Sequence, residues 1–230
     1  MTKRNNLKPA AYAEKQIIDA ILSGRYPVNT NLPGEREMAS QLGVTRPTLR
    51  EVYQRLKRDG WLEIHHGKAT RVRNFWEEGS LGVLAEIAKH VETQPVNFVR
   101  DLLFVRSLIA PAYTRLAIEN QAHTLAVFMR PYQDAESTPE VYARLDWQLH
   151  RKLASLSGNP IFPLMLNGFA DLYGVVGLRY FQNPHAVAAS GGFYKALLAC
   201  AENGDAEKGG VVMAQAMQQS LEIWQAMQKE

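Results

Sequence analysis

Cysteine is almost missing from this chain: its 230 residues include one, Cys200, which has no partner within the chain. A disulfide framework is excluded, and a lone thiol in a reduced compartment reads as a small buried hydrophobe without chemistry. Long apolar runs are also scarce. The longest uncharged stretch, Leu153 to Ala170, is broken by Ser157-Gly158-Asn159-Pro160 and cannot cross a bilayer as one helix. The first residues, Met1-Thr2-Lys3-Arg4-Asn5-Asn6, are basic but lack the apolar core of a secretory leader. A cytoplasmic protein with no membrane partner is expected. The usual catalytic signatures are missing too: a Gly-rich phosphate loop, His-Glu-x-x-His, Gly-x-Ser-x-Gly and CxxC. Neither an enzyme activity nor a cofactor is expected. Apolar material is plentiful instead. With 46% hydrophobic and 21% charged residues the chain can offset its own conformational entropy, and it is long enough for two ordinary domains or one large one.

The net charge of +3 conceals a division. Residues 1–75 hold 14 Lys/Arg against 7 Asp/Glu, while residues 76–230 hold 12 against 16. A basic unit followed by a mildly acidic one is the charge signature of a nucleic-acid reader coupled to something else. An uneven but merely solvating surface would carry the same charge, so local pattern decides.

Ile17, Ile18, Ile21 and Leu22 form a helical stripe ended by Ser23-Gly24. After a loop with Pro27 and Pro33, the segment Glu35 to Leu42 is helix-forming and closes at Gly43. Thr45 is an N-cap, and Pro47 falls in the first turn of the next helix, where its missing N–H costs nothing. That helix buries Leu49, Val52, Tyr53 and Leu56 and keeps Arg46, Thr48, Arg50, Gln54, Lys57 and Arg58 on its other faces. Two short helices joined by a Gly turn match a helix-turn-helix. Leu62 and Ile64, a turn at His66-Gly67, then Thr70 and Val72 read as a two-stranded wing.

The run Leu32-Pro33-Gly34-Glu35-Arg36-Glu37-Met38-Ala39, then Gly43-Val44-Thr45-Arg46 and Thr48-Leu49-Arg50-Glu51-Val52, resembles the DNA-binding domain of the GntR family of bacterial repressors. Most of that family has a Gly-rich wing. Here His66-Gly67-Lys68-Ala69-Thr70-Arg71-Val72 followed by Asn74-Phe75-Trp76-Glu77 is similar to the family's fatty-acid-responsive members. The similarity continues through Ser157-Gly158-Asn159-Pro160-Ile161, Asn167-Gly168, Leu172-Tyr173, Tyr180-Phe181, Asn183-Pro184 and Glu222-Ile223-Trp224. The resemblance implies a homodimer on a palindromic double-stranded DNA operator. Arg46 and Arg50, four apart on one helical face, would read base edges in the major groove, where Arg bonds guanine O6 and N7. Arg36 would reach bases or phosphates, and Thr45 and Thr48 phosphates. His66 and Gly67 would enter the minor groove. Pro47 departs from the pattern, standing where the fatty-acid-responsive members carry threonine.

No strand pattern follows Asn74. Thr138-Pro139, Asn159-Pro160 and Asn183-Pro184 each set an N-cap residue before proline, and Asn203-Gly204-Asp205 separates the last two helices. The expected fold is mainly α: an N-terminal winged helix-turn-helix of three helices and a two-stranded wing, joined to a C-terminal all-α antiparallel bundle of six or seven helices. The expected divisions are residues 1–74 for the winged helix, 75–90 for a linker and connecting helix with Leu81, Leu84 and Ile87 or Ala88 inward, and 91–230 for the bundle.

Two site chemistries are open in the bundle. Asp146 and His150, four apart, have metal-ligand spacing. Many GntR relatives complete such a site with further histidines, but after His150 this chain has only His185, and the later position holds Tyr194. The favoured expectation is no metal, with His150 bonded to Asp146. The other chemistry is a cavity for a long-chain fatty acyl-CoA. Tyr173 and Tyr180 lie seven apart, Ser220 and Trp224 four apart, and Arg106 is an in-bundle cation. By spacing alone these are core positions; the resemblance is what implies a ligand site. Met217 and Leu221 stand where the fatty-acid-responsive members have glycine. The sequence therefore reads first as a DNA-binding regulator released by long-chain fatty acyl-CoA. The alternatives are a relative sensing a small carboxylate, through a metal at Asp146 and His150, or an acyl-binding or catalytic helical protein whose basic end merely docks on nucleic acid or acidic lipid.

Overall fold

The computed structural model describes residues 7–65, 67–90, 93, 95 and 97–228. The chain forms two compact units, Met1–Pro95 and Val96–Glu230.

In the first unit, α1 (Pro9–Leu22), α2 (Glu35–Leu42) and α3 (Arg46–Arg58) precede a two-stranded antiparallel sheet. The sheet's strands, β1 (Leu62–Glu63) and β2 (Arg71–Val72), pair Leu62 with Val72 and Glu63 with Arg71. The stripe Ala13, Ile17, Ile18 and Ile21 of α1 is buried, as are Leu49, Val52, Tyr53 and Leu56 of α3. The turn between α2 and α3 needs the left-handed backbone of Gly43, φ 65°. Thr45 caps α3 by accepting the Thr48 N–H at 3.3 Å. These features follow the expected winged helix.

Two features differ from the expectation. The proline-bearing segment before α2 forms an extra rung on the sheet: Asn31 bridges Arg71, the Leu32 N–H donates to the Thr70 carbonyl at 2.8 Å, and the Val72 N–H to Thr30 at 2.8 Å. Backbone groups brought into a core need such partners. Residues 75–90, expected as a linker and connecting helix, form α4 (Phe75–Glu78) and α5 (Leu81–Lys89) and group with this unit rather than standing apart from it. Phe75 lies 4.8 Å, ring to ring, from the fully buried Trp61, and Val83, Ile87 and Ala88 are buried. Val83, rather than Leu84, fills the inward position; Leu84 is half-buried.

The second unit is helical throughout the described residues: α6 (Phe98–Met129), a 3-10 turn (Arg130–Asp134), α7 (Pro139–Leu156), α8 (Ile161–Asn167), α9 (Ala170–Phe181), α10 (Pro184–Asn203) and α11 (Ala206–Met227). Three starts are capped by side chains: Thr138 accepts from Val141, Asn183 from His185 and Asp205 from Lys208. The long α6 leaves helical geometry once, at Gln121 (φ −149°, ψ 41°), beside Asn120, whose amide donates to the Ser157 carbonyl at 2.9 Å. The core gathers Ala110, Tyr113, Leu125, Leu149, Leu197 and Met213, all unexposed. Each large apolar side chain buried here stabilises by about 1.5–3 kcal/mol.

Candidate functional site

The first site is the exposed face of α3 with the groove beside it. Packing Leu49, Val52, Tyr53 and Leu56 inward leaves Arg46, Arg50, Gln54 and Lys57 on the solvent side at helical spacing. Arg36, in the first turn of α2, is exposed as well. Arg50 is held: its Nε donates to Glu35 Oε2 at 2.8 Å. An exposed pair of this kind is worth about 1 kcal/mol or less. The bond uses Nε alone and leaves both terminal guanidinium nitrogens, the ones suited to guanine O6 and N7, without a partner among the described residues. Thr45 and Thr48 join hydroxyl to hydroxyl at 2.8 Å where α3 begins.

Arg50, Gln54 and Lys57 face His65, Lys68 and Thr70 of the wing across a groove of about 530 Å³. Lys57 Nζ reaches the Ile64 carbonyl at 3.4 Å. The wing's base is braced by Glu63, which accepts from Arg71 Nε at 2.8 Å and lies 2.6 Å from His65 Nε2. Bonds to His65 and Arg71 hold the Glu63 carboxyl down at about 2. At the wing tip Gly67 has φ +72° with open space around its Cα, so a backbone can approach closely. His66, the other wing-tip candidate, lies outside the described residues.

The second site is a polar cluster inside the bundle. Asp146 of α7 accepts from the phenol of Tyr173 (α9) at 2.6 Å and from that of Tyr194 (α10) at 3.1 Å. Arg106 of α6 donates to the Tyr173 oxygen and lies 3.9 Å from Asp146. His150 is fully buried. Its Nε2 is 3.7 Å from Asp146, too far for a hydrogen bond, and its Nδ1 is instead 2.6 Å from the hydroxyl of Tyr113. The expected His150–Asp146 bond is thus replaced by one to Tyr113 of α6, while the Asp146 oxygens accept the phenols of Tyr173 and Tyr194. Burial pushes the His150 imidazole down to about 4, with the Arg106 charge adding to that and Asp146 opposing it. The ring is therefore neutral near neutrality. Burial drives the Tyr173 and Tyr194 phenols far above their ordinary value. Arg106 Nε, His150 Nε2 and Thr114 Oγ1 are buried without a hydrogen-bond partner among the described residues. Among the described residues no three His, Cys, Asp or Glu side chains are grouped to hold a metal.

Arg106 and Tyr173 are thus brought together. Tyr180 is half-buried, its phenol raised by burial and eased by the Ser220 hydroxyl. Ser220 donates to the carbonyl of Ala216 at 2.8 Å, and buried Trp224 lies under the Arg179 guanidinium at 5.6 Å. Met217 and Leu221 are buried beside them on α11. Glu35, Tyr113 and Thr114 went unnoticed in the sequence. Only Glu35 left a trace, as part of a motif.

Two family models divide the chain: the gntR family of bacterial regulatory proteins matches residues 9–72, and the FadR C-terminal domain matches 73–230. This chain belongs to the FadR branch of the GntR family. Among similar curated proteins, the fatty acid metabolism regulator of Erwinia tasmaniensis is 44% identical over 83% of this chain and 80% of its own length. Those of Cronobacter sakazakii and Escherichia coli are each 40% identical over 96% of this chain and 92% of theirs. The solved structure of Listeria monocytogenes Lar shares the fold, with a TM-score of 0.58 at 12% identity over 96% of this chain and 98% of that one. Membership of the branch makes the chain a DNA-binding transcription regulator, not an enzyme. No helix among the described residues is long and apolar enough to cross a membrane.

Proposed function

We propose that this FadR-branch protein is a cytoplasmic regulator of fatty acid metabolism. It binds a palindromic operator as a homodimer and releases it when a long-chain fatty acyl-CoA enters the bundle. The observation that carries the reading is 40% identity, sustained over 96% of the chain, to proteins named fatty acid metabolism regulator. The geometry supplies parts suited to it. Arg46 and the free end of Arg50 face outward on α3 for base edges, and Arg36 is exposed in the first turn of α2. Thr45 and Thr48 crown a helix N-terminus suited to phosphate, and Gly67 lies at the wing tip for the minor groove, which His66 would also enter by its place in the sequence. Two-fold operator symmetry requires two copies of the reader.

In the bundle, Tyr180, Ser220 and Trp224 would line the acyl chain, with Arg106 and Tyr173 at its polar end. Met217 and Leu221 add volume where the pattern has glycine, which favours a shorter or differently kinked chain. Release requires the ligand to bind the DNA-free state more tightly, typically by about 1–3 kcal/mol. The test is calorimetry of the full protein with oleoyl-CoA, myristoyl-CoA and free CoA. Saturable acyl-CoA binding that Trp224→Ala weakens, with none for free CoA, supports the reading; no heat with any acyl chain overturns it.

A further inference from the structure

The last buried side chain among the described residues of the first unit is His90, 5% exposed, directly after α5. It reaches residues far away in sequence. Its Nδ1 is 2.7 Å from Asp19 Oδ1 on α1, and its Nε2 is 3.4 Å from Glu86 Oε1 one turn back on α5. Thr93 donates to the same Asp19 oxygen at 2.9 Å. Lys15 holds the other Asp19 oxygen at 2.6 Å, and Lys89 holds Glu86 at 2.9 Å, so both carboxylates are fixed in place. Among the described residues, these are the charged groups that α1 and α5 turn toward the imidazole. Only an imidazolium has an N–H for each carboxylate. A neutral ring donating to Asp19 would turn the Nε2 lone pair onto Glu86.

We propose that His90 is a proton-operated latch: charged, it pins the C-terminal end of α5 to α1 of the winged helix, and neutral, it lets that end go. The first unit ends at Pro95, so this latch, with Thr93 on the same Asp19 oxygen, holds the end of the DNA-binding unit. The inference is independent of the acyl-CoA reading. Burial alone would lower the imidazole, but bonds to Glu86 and Asp19 outweigh it and raise His90 above its ordinary 6.5. The sign follows. The latch is fully closed below that ordinary value and is lost as pH climbs through the raised one.

The test uses the full protein. Histidine ring NMR signals, with His90 assigned through His90→Gln, are followed from about pH 5 to pH 9. Amide exchange at residues 86–90 is measured over the same range and corrected for its intrinsic pH dependence. The expected result is a His90 midpoint above 6.5, lowered by Asp19→Asn. Opening at residues 86–90 should increase about tenfold as the ring loses its proton, the worth of one charge-assisted hydrogen bond. A midpoint at or below the ordinary value overturns the latch, and so does protection that is equal on both sides of the midpoint. If a variant fails to fold, the His90 ring is assigned by through-bond correlation in the wild-type protein, whose titration and amide exchange still decide the matter.

Discussion

Replacing Asp146 with alanine removes one anion and leaves three donors facing one another. These are the Arg106 guanidinium and the phenols of Tyr173 and Tyr194. The side chains of Arg106 and Asp146 are 13% and 10% exposed, so water restores little of what is lost. Breaking a buried pair from one side costs about 3–5 kcal/mol. The 3.9 Å separation of the charges places this case at the lower end, about 3 kcal/mol. Removing both charges with Arg106→Met and Asp146→Ala should recover most of that, because no uncompensated ion remains. The assay is urea unfolding followed by circular dichroism, analysed as a double-mutant cycle. A coupling above about 1.5 kcal/mol is expected. If Asp146→Ala costs less than about 1 kcal/mol, or the two changes simply add, the cluster does not hold the bundle together.

Acid should unfold the protein partly through His150. The unfolded ring takes a proton near 6.5 while the buried one refuses it down to about 4. Stability therefore falls across that window as pH drops, by about 3 kcal/mol from this group, and His150→Gln should flatten the slope in an acid unfolding series. Thr45→Ala removes the cap of α3 and should cost about 1 kcal/mol in thermal or urea unfolding, with weaker binding to every DNA sequence alike. Arg50→Ala should relax base preference by about 1–3 kcal/mol on operator variants in gel-shift competition, and an unchanged ratio of operator to random DNA would remove Arg50 as a reader. Glu35→Gln frees Arg50 and should loosen operator discrimination while leaving non-specific affinity at least as high, measured in the same competition.

Local chemistry made the winged helix legible. The Thr45 cap, Pro47 in the first turn, the Gly43 stop and the α3 stripe all act within a few residues, and each was found where its spacing put it. Thr138 and Asn183 announced α7 and α10 in the same way. What escaped was set by distant partners. Asn31 pairs with a strand 40 residues later, and nothing in a loop with two prolines signals that rung. The docking of α5 rests on Asp19 meeting His90 across 71 positions. In the bundle, the spacing of Asp146 and His150 correctly put them on one face, but their partners came from other helices. Tyr113 is 37 positions away from His150 and Tyr194 is 48 from Asp146, so periodicity showed only core phenols.

A DNA reader and an acyl-CoA sensor in one chain can be tested together in one titration. Fluorescence anisotropy of the full protein on a labelled palindromic operator at fixed salt is followed while oleoyl-CoA is added, with random DNA as the reference. The expected result is a tight complex with the palindrome that dissociates as the acyl-CoA saturates the bundle. A complex that forms equally on random DNA, or that ignores saturating acyl-CoA, would contradict it.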